Sequence, residues 1–370
     1  MTLPGTGADA NAVSSARRAE HLDGLRGLAV TAVVVFHCAT SLAAIPCGGY
    51  LGVPIFFMLS GYLITSRLWA SREPASVSTY RRFVIRRIQR LAPAHAAVVL
   101  VATPTAILVG MPTRDALLGG LASSTQTMTF YLPLAASVSG PLDVTWTLSV
   151  EWWFYLCWPL LLLGLKRARR TTTTVRNLSA VLAFVFYTCS LGLSGPSFYY
   201  LPWSNTAVLL TGAAIAMHGQ RRAALPKECV TRLSNRVGDT SLALLLLLLL
   251  APSGMIGPGY RWVILPCTAG ATGLLLLGCA DEGAARRFLS RPALRFLGIR
   301  AYSIYLWHFA VLWILQASLG ESRGGAAVVV SLASLVPIVW MSFHYLEQPW
   351  LRSGSGSTVI ATSRPGGARR

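Results

Sequence analysis

Long apolar runs separated by short polar connections dominate the chain. They span roughly Gly24–Ile45, Tyr50–Trp69, Pro93–Val109, Thr145–Leu165, Leu178–Leu193, Thr206–His218, Thr240–Ile256, Trp262–Ala280, Tyr302–Leu319 and Ala326–Tyr345. Most approach the ~20 apolar residues that carry an α-helix across the hydrocarbon layer. The pattern predicts an all-α polytopic membrane protein with about ten transmembrane helices. Thr206–His218 is the shortest and weakest run. Removing it would place the basic connections around Arg221 and Arg287 on the opposite side from the other cationic connections, so charge retains it.

With these spans, all of the 32 Lys and Arg residues except Arg114, Arg261 and Arg323 fall on one side. The positive-inside rule then puts both termini in the cytoplasm. A composition of 54% hydrophobic and only 12% charged residues, with a mean hydropathy of +0.55, excludes an ordinary soluble globule. The net charge of +19 does not argue for nucleic-acid binding, because the basic clusters lie between spans where membrane orientation already demands them. The seven cysteines show no CxxC or Cys/His ligand spacing, so neither a metal nor a disulfide framework is expected. The polar stretch before His21 lacks the charged start of a secretory signal, so the first span is expected to be retained.

One membrane domain, residues 21–350, is expected between a flexible cytoplasmic segment, 1–20, and a disordered cytoplasmic tail, 351–370, rich in Ser, Gly and Arg. Ser78–Leu91 mixes five arginines with apolar residues and suits a helix lying at the cytoplasmic interface. The long connection Pro112–Val144 suits a re-entrant or lid-like segment.

Candidate chemistry lies inside the membrane. Arg26 and His37 share almost one helical face, roughly 16 Å apart, which puts His37 near mid-membrane if Arg26 is near the cytoplasmic surface. Glu151 reaches a similar depth from a helix running the other way, so the imidazole and carboxylate are expected to meet in a polar cavity. His308, with Tyr302, Ser303, Tyr305 and Trp307 nearby, can line that cavity or simply pack. His95 and His344, near the cytoplasmic boundary, read as structural. The arginines of Ser78–Leu91 taken alone read first as an orientation signal contacting anionic lipid.

Six stretches then resemble the membrane acyltransferase 3 family in its order: LDGLRGLAVTAVVVFH (22–37), GVPIFFMLSGYLIT (52–65), RRIQRLAP (86–93), TWTLSVEWWFYLCWP (145–159), YSIYLWH (302–308) and YLEQPW (345–350). The resemblance implies transfer of an acetyl or other short acyl group from acyl-CoA, a co-substrate rather than a resident cofactor, to a hydroxyl of a carbohydrate, glycolipid or macrolide-type natural product. It maps the family's arginine–ten residues–histidine motif onto Arg26 and His37, its RxxR motif onto Arg87 and Arg90, and its fourth-span acid onto Glu151. Trp152 and Trp153 depart from the polar residues many relatives carry there, which is expected to narrow or dry the acceptor pocket.

Those roles have a physical rationale. Guanidinium groups pair with phosphate through charge-assisted hydrogen bonds, so Arg86, Arg87 and Arg90 are candidates for the coenzyme A phosphates. His37 is the candidate general base for the hydroxyl nucleophile. Glu151 is expected to orient it or contact acceptor hydroxyls, and Arg26 to guide phosphate or oppose oxyanion charge. Ser60, Tyr302, Ser303, Tyr305 and His308 are candidate cavity residues. Without a GxSxG elbow, direct transfer in one ternary complex is expected. A bacterial cytoplasmic-membrane setting is expected, with no nucleic acid or metal and the oligomeric state open. The alternatives are a proton-coupled transporter or flippase of a sugar or lipid-linked substrate, whose pathway would also bury His37 and Glu151, and a purely structural or signalling membrane protein.

Overall fold

The structure is a computed structural model that describes residues 7–42, 48–135, 140–193, 195–222, 231–250, 257–279, 283–320 and 324–353. Among these residues the fold is helical and contains no strand. In chain order the helices are α1 (Gly7–Ser41), α2 (Gly52–Ala70), α3 (Val77–Leu108), α4 (Thr113–Ser124), α5 (Met128–Leu134), α6 (Trp146–Arg167), α7 (Thr172–Ser190) and α8 (Gly195–Tyr200). There follow α9 (Pro202–Arg222), α10 (Thr231–Leu250), α11 (Leu265–Gly278), α12 (Ala284–Leu289), α13 (Pro292–Ile299), α14 (Ala301–Leu319), α15 (Gly324–Met341) and α16 (Gln348–Ser353). A π-helical turn, Tyr260–Ile264, leads into α11, and another, Ser342–Glu347, follows α15. Helix α1 begins inside the stretch expected to be flexible, while residues 1–6 and most of the expected tail, 354–370, lie outside the described residues.

Within the described residues each apolar run overlaps a helix: α1, α2, α3, α6, α7, α9, α10, α11, α14 or α15. Among the described residues, eight helical segments are long and apolar enough to cross a membrane, and the chain is a multi-pass membrane protein. The runs in α7 and α9 fall outside that set. Helix α9 nevertheless packs extensively against α2 and α7, and its Leu209, Ala213 and Met217 are fully buried. Covered by protein rather than lipid, it needs less continuous hydrophobicity.

The basic interfacial segment and the third span form one helix of 32 residues, α3, rather than two elements. Its length of about 48 Å exceeds the ~30 Å hydrocarbon core, so the basic N-terminal half extends beyond the bilayer. Pro93 removes one backbone donor within it, yet helical geometry continues on both sides.

The connection after α3 folds back against it. Helix α4 runs back along α3 until the Ser123 hydroxyl lies 2.9 Å from His95 Nε2, well inside the outer end of α3. Gln126, with φ at +58°, reverses the chain, and α5 returns toward α6 and α8. His95 is buried there, with its Nδ1 3.2 Å from Gln126 Nε2, as the structural reading expects of a hydrogen-bonded packing residue. Arg261, one of the few basic residues on the opposite face, donates to the carbonyls of Leu191 (3.1 Å) and Leu193 (2.6 Å) and closes the end of α7.

Glycine brings α1 and α13 into backbone contact. A Cβ on Gly27 would fall 2.0 Å from Leu294 O, and one on Gly298 would fall 1.7 Å from Asp23 O. Only hydrogen fits at either place, and the resulting contact fixes the turn of α1 that carries Arg26.

Candidate active site

Where α1, α2, α3, α6 and α14 converge toward the basic face, a cavity has room of about 110 Å³ for water-sized molecules. Its wall carries Arg26, Arg87 and Arg90, together with Ser60, Glu151, Tyr155, Tyr302 and Tyr305. Glu151 is a carboxylate in an apolar helix, and two hydroxyls satisfy it: Ser60 donates at 2.5 Å to Oε1 and Tyr155 at 2.6 Å to Oε2. The Tyr155 ring in turn supports the Arg87 guanidinium, 4.8 Å from its centroid. Arg26 is held by Asp23 at 3.3 Å. Arg26, Arg67, Arg87 and Arg90 lie close enough to feel one another's charge, while Arg90 Nε is buried without a hydrogen-bond partner among the described residues. Such a concentration of mutually repelling cations is suited to a polyanion.

A second cavity, with room of about 420 Å³, opens among α1, α8, α14 and the start of α6 toward the opposite face. His37, Asp143, Gln316 and a group of aromatic residues, including Tyr50, Trp146, Tyr199 and Tyr200, line it. Burial, with the nearby Asp143 carboxylate, pushes the Tyr200 phenol up to about 12, so it remains a neutral hydroxyl. His37 packs between the rings of Phe36 and Phe309, with centroids at 5.3 and 4.8 Å, and its Nδ1 lies 3.2 Å from His308 Nε2.

Two residues, Val53 and Tyr305, belong to the walls of both cavities. Tyr305 is fixed at its tip, donating to Val144 O at 3.1 Å and accepting from Thr147 Oγ1 at 2.9 Å. The basic cavity and the histidine cavity thus abut at these two residues.

This arrangement corrects several expectations. Glu151 and His37 do not share a cavity; the partner of the His37 ring is His308, and both Glu151 oxygens are occupied by Ser60 and Tyr155. Arg86 is exposed and outside the basic cavity, because 100° of helical rotation separates it from Arg87. Ser303 is also absent from the wall: its hydroxyl donates to Glu347 and lies 3.1 Å from Ser342 Oγ in a buried polar cluster. His308 lies behind His37 rather than on the wall. Trp153 is exposed on the outside of the bundle and Trp152 packs against Tyr155, so neither narrows the histidine cavity.

Sequence reasoning missed Arg67, Tyr155 and Glu347. Arg67 resembles any basic residue ending a span. Tyr155 follows Glu151 by one helical turn, a spacing that makes their contact foreseeable. Glu347 lies in the quoted YLEQPW stretch, and a fully buried carboxylate within electrostatic reach of Arg90 is a stronger signal than its sequence position gave.

An all-helical membrane bundle with an arginine-lined cavity meeting a histidine-bearing one defines a class of intramembrane site suited to an anionic ligand and proton transfer. The chain belongs to the acyltransferase 3 family: the family model, described as an acyltransferase domain, matches residues 20–344. Among curated relatives, it is 28% identical over 354 residues to the peptidoglycan O-acetyltransferase OatA of Listeria monocytogenes, covering 90% of this chain and 56% of that protein. It is 29% identical over 348 residues to YrhL of Bacillus subtilis, provisionally named a peptidoglycan O-acetyltransferase, covering 89% of this chain and 54% of that protein. A Staphylococcus aureus (strain COL) protein provisionally named an O-acetyltransferase is 25% identical over 353 residues, covering 90% of this chain and 57% of that one. The chain therefore spans about half the length of the curated relatives it matches. No solved structure matches it.

Proposed function

We propose that this protein is a bacterial cytoplasmic-membrane O-acyltransferase. It moves an acetyl or other short acyl group from acyl-CoA, bound at the basic face, to a hydroxyl entering the histidine cavity from the opposite face. The observation that carries this reading is the abutment of the two cavities at Val53 and Tyr305. The excess of basic connections supports a cytoplasmic assignment for the arginine side. Among the acceptor classes left open by the sequence, the relatives' names favour a carbohydrate over a macrolide.

Arg87 and Arg90, one turn apart on α3, supply paired donors to the phosphates of the coenzyme, with Arg26 deeper along the same wall. The neutral pantetheine arm and its thioester extend past Tyr305 toward His37. His37 removes the acceptor hydroxyl proton as the oxygen forms a bond to the thioester carbon. The carbon–sulfur bond then breaks, and the imidazolium returns that proton to the departing thiolate. Glu151 acts indirectly, fixing Ser60 and the Tyr155 ring that supports Arg87.

Proteoliposomes test this reading: labelled acetyl-CoA is supplied on one side and a soluble peptidoglycan oligosaccharide on the other. Labelled ester on the oligosaccharide, dependent on His37, is expected. Movement of solute without covalent transfer would instead establish transport, and no product with either orientation of the reactants would remove the proposed reaction.

A further inference from the structure

The proton positions in the histidine pair follow from their neighbours, because carbonyl oxygens only accept hydrogen bonds. His308 Nδ1 lies 2.7 Å from Tyr305 O and 3.1 Å from Ile304 O, so that nitrogen carries the proton. In the neutral ring, Nε2 is then a bare lone pair. Facing it at 3.2 Å is His37 Nδ1, which also lies 3.0 Å from Val33 O. Both neighbours of His37 Nδ1 are acceptors, so that atom is protonated as well. The reverse placement would set nitrogen lone pairs against carbonyl lone pairs at both histidines. What remains is an unprotonated Nε2 on the histidine that lines the large cavity.

From this geometry we infer that His308 is the positioning residue for His37: its Nε2 accepts the His37 Nδ1 proton and thereby holds His37 Nε2 ready to receive a proton from the acceptor hydroxyl. The inference rests on the acyl-transfer reading for its catalytic consequence, but the hydrogen bond itself is independent of any substrate. When His37 Nε2 takes the proton, the hydroxyl O–H bond breaks and a new N–H bond forms. The Nδ1 proton stays on His37 throughout. The bond to His308 becomes charge-assisted and therefore stronger at the step where positive charge develops. His308 thus fills the place that a carboxylate occupies in a serine–histidine–aspartate triad, without adding a fixed negative charge to a buried site.

The packing supports the assignment. Phe36 and Phe309 confine the His37 ring edge-on, and His308 is itself buried behind it, so the pair has little freedom to exchange partners. The orienting role expected of Glu151 therefore passes to a residue on α14, carried by the YSIYLWH stretch.

Nuclear magnetic resonance of full-length, ¹⁵N-histidine-labelled protein in nanodiscs tests the hydrogen bond without substrate, with signals assigned from His37→Phe and His308→Leu. Expected are an unprotonated His308 Nε2, a protonated His37 Nδ1 and a scalar coupling between them. A proton on His308 Nε2, or no coupling, overturns the inference. Kinetics with acetyl-CoA and the peptidoglycan oligosaccharide test the consequence. His308→Leu is expected to lower kcat about 10²-fold, at the low end of a general base's contribution, with KM for acetyl-CoA unchanged. His308→Gln, which restores an acceptor oxygen, should recover to within about tenfold of the parent. Parental turnover in His308→Leu, or a glutamine variant no better than leucine, defeats the positioning role. If His37→Ala also turns over normally, the reaction centre itself is wrong; if it is inactive while His308→Leu is normal, the centre stands and only the pairing falls.

Discussion

On one side of Tyr305 the cavity wall carries three guanidinium groups; on the other it carries rings, hydroxyls and a histidine paired with a second histidine. The basic cavity relies on fixed charge, with Arg87 resting on Tyr155 and Arg26 tied to Asp23. The histidine cavity relies on proton placement, with Nδ1 of His37 committed to Val33 O and His308. A polyanion is recognised by charges that persist at any ordinary pH, whereas proton abstraction needs a neutral base. Under the proposed reaction, placing the two in adjacent compartments gives each the environment its proposed task requires.

Substitutions on the two sides should therefore separate kinetically. The largest effect is expected from His37→Ala, which should lower kcat by about 10²- to 10⁴-fold while acetyl-CoA binding, measured by calorimetry, is retained. Loss of donor binding alongside turnover would show that the compartments are not functionally distinct. Arg87→Ala combined with Arg90→Ala should do the reverse, raising KM for acetyl-CoA about 10²- to 10⁴-fold, since each loses charge-assisted hydrogen bonds worth about 1.5–3 kcal/mol. Arg87→Lys should recover only part of this, because an ammonium lacks the planar fork and stacks less well on Tyr155.

Glu151→Gln should raise the same KM about tenfold, the cost of leaving one buried hydroxyl poorly paired, with little change in kcat. A selective fall in kcat would move Glu151 to the histidine side. Gly298→Ala should cost about 1–3 kcal/mol in thermal unfolding, because its new methyl meets the Asp23 carbonyl. Arg86→Ala should leave both kinetic constants within about twofold, as expected of an exposed side chain outside the cavity.

The apolar runs made the helices legible because a bilayer imposes a length on every crossing helix, and even the weak run Thr206–His218 lies in a helix, α9, although that helix falls outside the segments apolar enough to cross. The Arg26–His37 spacing was legible for the same reason: one helix fixes their relation. Pairings between helices were not. Depth alone suggested that His37 and Glu151 would meet, but rotation of α6 aims Glu151 toward Ser60 and Tyr155, while α14 brings His308 to His37. The same rotational blindness grouped Arg86 with Arg87 and Ser303 with Tyr302. That the connection after α3 would pack as helices against the bundle was not legible either, nor was its anchor, Ser123 on His95.

The Val53–Tyr305 layer has an electrical consequence. If water fills the recesses on both sides, nearly the whole membrane voltage falls across that layer, at about 2.3 kcal/mol per elementary charge per 100 mV. An ion slipping through would feel all of it. A thioester is uncharged and would feel almost none, so the layer can insulate against leakage while admitting the reacting group.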